Sequence, residues 1–316
     1  MRDIAVFYPT NHCDSVRDFS EQLKEICKKY NFINFPRKYH ASKYDEFMTL
    51  AKTHNVLMAW IGGGVEPKFG TTNSTVELLF QMTDKDFEVL KSRGVKVIGL
   101  SDVTYILAAL QNNGMVCYYG PNLYSKFITC GGEDERTVMY NSLETALNNN
   151  EYVIDLADKD FNLTEMPTVV YGGKAKGRIV GGNTETICAA LRMYPEYALK
   201  RQTGDIIFLE AVCPSYDEEG FSRQLKYLKQ HCFFVDASAI IIGKGQRPWV
   251  NVDGERKMVD RSYECENLIK SVKEFLPKGI PVIINAPSGH VSPMMTIPLG
   301  CKAELDADNL TLKIIK

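Results

Sequence analysis

Residues 95–110 read Val-Lys-Val-Ile-Gly-Leu-Ser-Asp-Val-Thr-Tyr-Ile-Leu-Ala-Ala-Leu. Val95–Leu100 is a short apolar run of strand length, whereas Val103–Leu110 is an apolar stretch of helical length. A buried strand that leads directly into a helix is typical of a βαβ unit in a mostly parallel sheet. This stretch therefore predicts an α/β fold, with Ser101 and Asp102 at the corner between strand and helix.

The same alternation recurs along the chain and predicts two α/β domains. Residues 1–128 are expected to form an N-terminal domain with an open, mostly parallel sheet and flanking helices. Residues 129–168 are expected to connect it to a smaller C-terminal domain, 169–316, that is rich in β-structure. The predicted strands are Ile4–Tyr8, Val56–Ile61, Val95–Leu100, Asp205–Leu209, Ala239–Ile242 and Pro281–Ile284, and the predicted helices are Val16–Tyr30, Val103–Leu110, Thr137–Leu147, Glu218–Gln230 and Ser262–Phe275.

Composition restricts the classes of partner and the compartment. The chain has 316 residues, 45% hydrophobic and 24% charged, in the ordinary globular range. A formal net charge of −2 supplies no global positive field for nucleic acid or an anionic membrane surface, so we expect a small-molecule or peptide partner. Asp3 and Pro9 interrupt any signal-peptide core, and no apolar run is long enough to span a bilayer, which predicts a cytoplasmic protein. The nine scattered cysteines, with no Cys-x-x-Cys, predict reduced and mostly buried thiols.

Ser101 lies where ligands bind in an open α/β sheet, outside the carboxyl end of a strand. A serine at a strand-to-helix corner exposes its hydroxyl, and the helix amides behind it can stabilise negative charge. The local string lacks the second glycine of the Gly-x-Ser-x-Gly elbow. The alternative is that Ser101 or Asp102 caps the following helix, since both residue types are preferred at that position.

Gly62-Gly63-Gly64 follows the strand Val56–Ile61. Glycines let backbone amides approach a ligand closely, as an oxyanion hole requires, but they also form ordinary tight turns. A nucleotide-dependent enzyme that uses this loop is a further alternative, although neither Gly-x-Gly-x-x-Gly nor the Walker pattern is present.

Glu210 and His290 follow predicted strands of the second domain. Taken singly, a carboxylate at a strand end is more often the solvated start of a loop, and a lone histidine is more often structural. Together with Ser101 they supply a nucleophile, a base that can take its proton, and a carboxylate that can orient the base. The chain order Ser, Glu, His is that of α/β-hydrolases.

Several strings, taken in order, resemble the serine-peptidase family that contains murein LD-carboxypeptidases and microcin C self-immunity proteins. The similarity covers nearly the whole chain. The strings are Ile61–Gly63, Ile98–Asp102, Tyr119–Pro121, Gly177–Asn183, Gly204–Glu210, Gly289-His290 and Pro293–Gly300.

The resemblance implies that Ser101 is the nucleophile, His290 the general base and Glu210 its orienting carboxylate. It also implies an oxyanion hole formed by the backbone amides of Gly63 and Asp102, no metal or other cofactor, and a homodimer.

The string Pro-Met-x-Thr-x-Pro at Pro293–Pro298 is closer to the microcin-immunity branch, which implies a peptidyl- or aminoacyl-nucleotide substrate. The alternatives are a murein tetrapeptide LD-carboxypeptidase that releases D-alanine, and a non-catalytic binding protein of the same fold. Three features depart from the family. Glu210 is followed by Ala-Val-Cys-Pro instead of a second acidic residue or a nearby lysine, 130–168 contains no tryptophan to stack on a nucleobase, and the loop after Gly63 is long.

Overall fold

The computed structural model describes residues 3–9, 20–34, 42–60, 75–128, 132–161, 166–212, 220–245, 249–252, 255–258 and 261–316. The helices are α1 Ser20–Tyr30, α2 Lys43–Thr53, α3 Val76–Leu79, α4 Asp84–Ser92, α5 Thr104–Asn112, α6 Glu133–Asn148, α7 Thr184–Met193, α8 Phe221–Gln230 and α9 Arg261–Phe275. The strands are β1 Ile4–Phe7, β2 Phe32–Asn34, β3 Val56–Ala59, β4 Lys96–Gly99, β5 Cys117–Tyr119, β6 Glu151–Asp155, β7 Thr168–Tyr171, β8 Lys174–Asn183, β9 Ile206–Glu210, β10 Ala239–Lys244, β11 Trp249–Val252, β12 Glu255–Met258, β13 Val282–Gly289, β14 Ile297–Leu299, β15 Lys302–Asp306 and β16 Thr311–Ile315.

The first sheet is mostly parallel. Within the described ranges it has six strands in the order β14-β5-β4-β3-β1-β2, and β14 alone runs antiparallel to its neighbour. Every residue of β1 and β3 is buried, as expected for parallel strands covered on both faces. Because the carboxyl ends of parallel strands share one edge, the residues that follow β3, β4 and β5 lie along that edge.

The second sheet has a parallel centre with antiparallel flanks. In the part of the chain that the structure describes, its eight strands have the order β6-β16-β15-β8-β9-β10-β13-β7, and β8, β9, β10 and β13 are parallel. Strands β9, β10 and β13 are buried throughout. The residues that end the four parallel strands therefore share one edge: Asn183, Glu210, Lys244 and Gly289.

The two sheets are joined by the segment that runs from β14 into β15. Strand β14 pairs with β5 of the first sheet, whereas β15 pairs with β8 of the second. At the crossing, the Gly300 amide donates to the Ile179 carbonyl at 2.7 Å, and the Ile179 amide donates to the Cys301 carbonyl at 2.9 Å. Helix α5 packs against elements of both sheets and buries every residue from Thr104 to Gln111, as a helix enclosed by the core does.

Two side-chain amides of α5 complete this junction. Where β15 diverges from β8, the Gln111 amide takes the position of the missing strand, since Nε2 donates to the Gly181 carbonyl at 3.2 Å and Oε1 accepts from the Gly181 amide at 3.0 Å. The next residue, Asn112, donates to the Ala198 carbonyl and accepts from the Lys200 amide in the same manner. The helix that begins behind Ser101 is therefore held to the second sheet by reciprocal hydrogen bonds.

The predicted fold class is confirmed, with differences at element bounds. The strand predicted over Pro281–Ile284 extends to Gly289, because its small and polar residues pair with β10 through two register shifts instead of forming a turn. The helix predicted over Thr137–Leu147 begins at Glu133. Residues 16–19 of the helix predicted from Val16 lie outside the described residues.

Two further observations concern the cysteines and membranes. Among the described cysteines, all free thiols, Cys117 and Cys301 are buried, Cys27 and Cys188 are half-buried, and Cys232 is exposed. The expectation of a buried thiol is therefore wrong for Cys232, which lies in the turn after α8.

No helix in the described ranges is long and apolar enough to cross a membrane.

Candidate active site

Ser101 occupies a strained corner between β4 and α5. Leu100 is extended, Ser101 has a φ of 59°, and a 3-10 turn over Ser101–Val103 leads into α5. A non-glycine residue in this region is uncommon and is often found at functional sites. Gly99 permits the tight turn, because a Cβ there would lie 2.5 Å from Val103 Cγ1. The capping positions are Leu100 for the 3-10 turn and Val103 for α5, so the alternative that Ser101 or Asp102 caps the helix is wrong.

Glu210 ends β9 and is fully buried, which overturns its interpretation as the solvated start of a loop. Its Oε1 accepts hydrogen bonds from the Tyr119 hydroxyl and from Asn183 Nδ2, the latter at 2.9 Å. Its Oε2 accepts from the His290 amide at 3.2 Å and contacts His290 Nδ1 at 2.8 Å. Each carboxylate oxygen thus accepts two hydrogen bonds, which compensate a buried carboxylate for the loss of water.

The environment keeps Glu210 ionised. Burial by itself raises the pKa of this carboxyl, but the electrostatic interaction with His290 and the hydrogen bonds from His290, Tyr119 and Asn183 outweigh it and hold the pKa below its usual range. Because the carboxylate can only accept, the proton between it and His290 belongs to Nδ1. The other ring nitrogen, Nε2, is then the one able to take up a proton.

Gly289 lets the chain turn over the carboxylate and places His290. Its φ is 130°, and a Cβ there would lie 2.5 Å from the Lys244 carbonyl oxygen and 2.8 Å from Glu210 Oε2. Only glycine combines this φ with this close approach. The His290 side chain follows at the end of β13 and retains 13% exposure.

Tyr119, which ends β5, joins the serine to the carboxylate. Its hydroxyl donates to Glu210 Oε1 and accepts from the Ser101 amide at 3.2 Å. The structure therefore brings Glu210 and His290 into direct contact and links both to the backbone of Ser101. Sequence reasoning assigned Tyr119 no role, although it ends a strand at the ligand-binding edge, the signal that singled out Ser101.

Asn183 is a second residue that sequence reasoning missed. It ends β8, caps α7 by accepting from the Thr186 amide at 2.9 Å, and donates to Glu210 through Nδ2. Its own amide donates to Thr104 Oγ1 at 3.0 Å, which ties it to the start of α5. As with Tyr119, its position at a strand end was the available signal.

Of the two residues expected to form the oxyanion hole, Asp102 alone can be placed. Its amide belongs to the 3-10 turn after Ser101, and its Oδ1 accepts from Thr186 Oγ1 at 3.4 Å. Gly63 and the rest of the glycine turn lie outside the described residues. Both assignments therefore stay predictions.

The described side chains also bear on metal binding. Among the residues in the described ranges, no group of three or more His, Cys, Asp or Glu side chains is arranged to hold a metal ion.

Comparison with known proteins relates this chain to carboxypeptidases and self-immunity proteins. The family model for the LD-carboxypeptidase C-terminal domain matches residues 176–305. The putative carboxypeptidase YocD of Bacillus subtilis is 26% identical over 297 residues, covering 87% of this chain and 84% of that protein. The microcin C7 self-immunity protein MccF of Escherichia coli is 28% identical over 280 residues, covering 82% of this chain and 73% of that protein.

Solved structures show the same fold. MccF in complex with aspartyl sulfamoyl adenosine has a TM-score of 0.76 at 23% identity, covering 100% of this chain and 96% of that chain. A muramoyltetrapeptide carboxypeptidase from Oxalobacter formigenes has a TM-score of 0.73 at 21% identity, covering 99% of each chain. The resemblance found in the sequence is confirmed. Residues 176–305 are an LD-carboxypeptidase C-terminal domain, in a chain homologous to LD-carboxypeptidases and to the microcin C7 self-immunity protein.

Proposed function

We propose that this chain is a serine hydrolase that cleaves an amide bond, with Ser101 as nucleophile, His290 as general base and Glu210 as the carboxylate that orients the base. The observation that carries the proposal is the contact of the buried Glu210 carboxylate with His290 Nδ1 at 2.8 Å, with this pair linked to Ser101 through Tyr119. A serine hydroxyl is a poor nucleophile unless a neighbouring base accepts its proton. An ionised partner on Nδ1 prepares an imidazole for that task.

In the acylation step, Ser101 Oγ attacks the amide carbonyl carbon while His290 Nε2 takes the hydroxyl proton. A bond forms between Oγ and the carbonyl carbon, the C–N bond breaks, and His290 returns the proton to the leaving nitrogen. The negative charge of Glu210 stabilises the transient imidazolium. We assign the stabilisation of the oxyanion to the backbone amides of Gly63 and Asp102.

In the deacylation step, water attacks the acyl-enzyme by the same route. His290 takes a proton from the water, the new C–O bond forms, and the bond to Ser101 Oγ breaks. The proton passes to Oγ, which restores the free enzyme and releases the carboxylic acid.

The test of the chemistry is Ser101→Ala with Ser92→Ala as the matched control. Ser101→Ala removes only Oγ, and alanine has the same Cβ as serine, so the corner at φ 59° is not further strained. Ser92 is an exposed residue at the end of α4, and we expect Ser92→Ala to leave turnover unchanged. We expect Ser101→Ala to abolish turnover and to block labelling by a fluorophosphonate probe, with the melting temperature unchanged. Wild-type turnover in Ser101→Ala would refute the proposal.

For the substrate we favour an aminoacyl- or peptidyl-nucleotide. The support is the string at Pro293–Pro298 and the homology to MccF, a protein solved with aspartyl sulfamoyl adenosine. A murein tetrapeptide is the second candidate, because YocD is named a putative carboxypeptidase and the fold is shared with a muramoyltetrapeptide carboxypeptidase.

One assay separates the two candidates. Purified protein is offered aspartyl sulfamoyl adenosine and a murein tetrapeptide side by side, and released sulfamoyl adenosine is compared with released D-alanine. Preferential release of the nucleoside supports the first substrate class, whereas preferential release of D-alanine replaces it with the second. Binding of either compound with no turnover would instead favour a non-catalytic binding protein of this fold.

The assembly and compartment belong to the same proposal. We propose a homodimer in the cytoplasm, as the family resemblance implies. Light scattering on the purified chain tests the dimer, and a monomeric mass at micromolar concentration would contradict it.

A further inference from the structure

One phenol bridges the two halves of the proposed site. Tyr119 lies in the first sheet, where it pairs with Gly99 of β4 and Ile297 of β14. Glu210 lies in the second sheet, 91 positions further along the chain. The Tyr119 hydroxyl accepts from the Ser101 amide at 3.2 Å and donates to Glu210 Oε1, so a single oxygen contacts both groups.

The direction of these hydrogen bonds is determined by the surroundings. Burial, then the charge of Glu210 and the hydrogen bond to it, raise the pKa of Tyr119 well above its usual range, and Glu185 adds to the same effect. The hydroxyl therefore keeps its proton and donates a hydrogen bond to the carboxylate. Its lone pair is then oriented towards the Ser101 amide.

Packing holds the ring in place. Tyr119 is completely buried, and its ring lies 5.3 Å from that of Phe208 at an angle of 57°. The strand pairs on both sides fix its backbone. The phenol is therefore a rigid contact between the serine corner and the carboxylate.

We propose that Tyr119 is a positioning residue, whose hydroxyl sets the orientation of Glu210, and through it of His290, relative to the Ser101 corner. The inference rests on the proposed function. Asn183 supplies the other donor to Oε1, but only Tyr119 also contacts the nucleophile's backbone. Loss of the hydroxyl leaves the Ser101 amide without this acceptor and lets the Glu210–His290 pair rotate away from the serine.

The test is Tyr119→Phe, which removes only the hydroxyl, with Tyr118→Phe as the matched control. Tyr118 is the preceding residue of β5, equally buried and directed to the opposite face of the sheet. We expect Tyr119→Phe to lower kcat by about 10- to 100-fold, the usual value of a hydrogen bond to a charged group, with KM unchanged. We expect Tyr118→Phe to keep the wild-type kcat.

The pH profile separates positioning from a purely structural role. A carboxylate that has lost one donor attracts protons more strongly, so the acid limb of the kcat/KM profile moves to higher pH in Tyr119→Phe. Site-specific 3-fluorotyrosine at position 119 makes the hydroxyl a stronger donor and moves the limb to lower pH. This second variant also provides the test if Tyr119→Phe does not fold.

Each outcome decides one claim. Opposite shifts of the acid limb, with a lowered kcat in Tyr119→Phe, support the inference. An unchanged kcat and pH profile in folded Tyr119→Phe, or an unmoved limb in the fluorotyrosine protein, overturns it. Ser101→Ala is measured in the same series. If it is inactive while Tyr119→Phe behaves as wild type, only the positioning role fails, whereas activity in Ser101→Ala refutes the proposed function itself.

Discussion

Gln111→Met removes the side-chain amide that completes the hydrogen bonding of β8 at the junction of the two sheets. Methionine has a similar length and no hydrogen-bonding group, so the volume is kept while both reciprocal bonds to Gly181 are lost. Gly181 is buried between α5 and β9, so water cannot readily replace the amide. The substitution therefore isolates the polar contribution of this contact.

The expected loss follows from the two backbone groups left without partners. Each buried and unsatisfied group costs about 1–3 kcal/mol. The apolar side chain offsets about 1–2 kcal/mol, because methionine avoids the desolvation of an amide. The net decrease in the free energy of unfolding should be about 1–4 kcal/mol, a substantial fraction of the roughly 5–15 kcal/mol typical of a folded domain.

Urea unfolding, followed by circular dichroism, measures this loss. Gln230→Met is the matched control, since Gln230 lies exposed at the end of α8 and its substitution should change the free energy of unfolding by less than about 0.5 kcal/mol. A decrease below about 1 kcal/mol in Gln111→Met would mean that the Gly181 groups find other partners. Gln111 would then not be the residue that satisfies the hydrogen bonding of β8 at this junction.

Two further predictions concern the carboxylate. Gly289→Ala places a Cβ 2.8 Å from Glu210 Oε2 and 2.5 Å from a backbone oxygen, so we expect it to lower both the melting temperature and turnover. The control is Gly279→Ala, which has φ 88° and no atom within 4 Å of the new Cβ, and which should lower only the melting temperature. Equal turnover in the two variants would show that the added Cβ does not disturb Glu210. Burial raises the pKa of Glu210, but its partners lower it by a larger amount, so the pKa in the folded protein lies below the ordinary value of 4.5. The ionised carboxylate therefore contributes its full stabilisation of the fold above pH 4.5, and this contribution is lost as the pH falls towards the pKa of the folded protein. Urea unfolding at a series of pH values should therefore show a steeper loss of stability below about pH 5 in the wild type than in Glu210→Gln, and parallel curves would disprove the assignment.

The arrangement of the site explains why its parts are far apart in the sequence. Ser101 follows β4 and Tyr119 ends β5 of the first sheet, whereas Asn183 and Glu210 end strands of the second. The carboxyl ends of parallel strands are where an open α/β sheet presents backbone dipoles and side chains to a ligand. The two edges meet at the start of α5 and at the Tyr119–Glu210 contact, so together they supply more polar groups to one place than either edge alone.

Local patterns determined the strands and the three residues of the proposed triad. Val95–Leu100 is a mostly apolar run of strand length, and this pattern can be read from the sequence without knowing how the strand packs. The sequence alone therefore predicted a strand that ends before Ser101. The same rule placed Glu210 at the tip of a strand and His290 close behind one. The family resemblance then supplied their roles.

Tertiary structure alone decided what surrounds those residues. The burial of Glu210 and its contact with Tyr119 depend on how two sheets pack, and no pattern of neighbouring residues encodes a contact across 91 positions. The extension of β13 to Gly289 depends on pairing with β10, which overrides the turn-forming preference of its residues. Sequence periodicity reports which face of an element is apolar, whereas the choice of partner for a buried polar group is made only when distant elements meet.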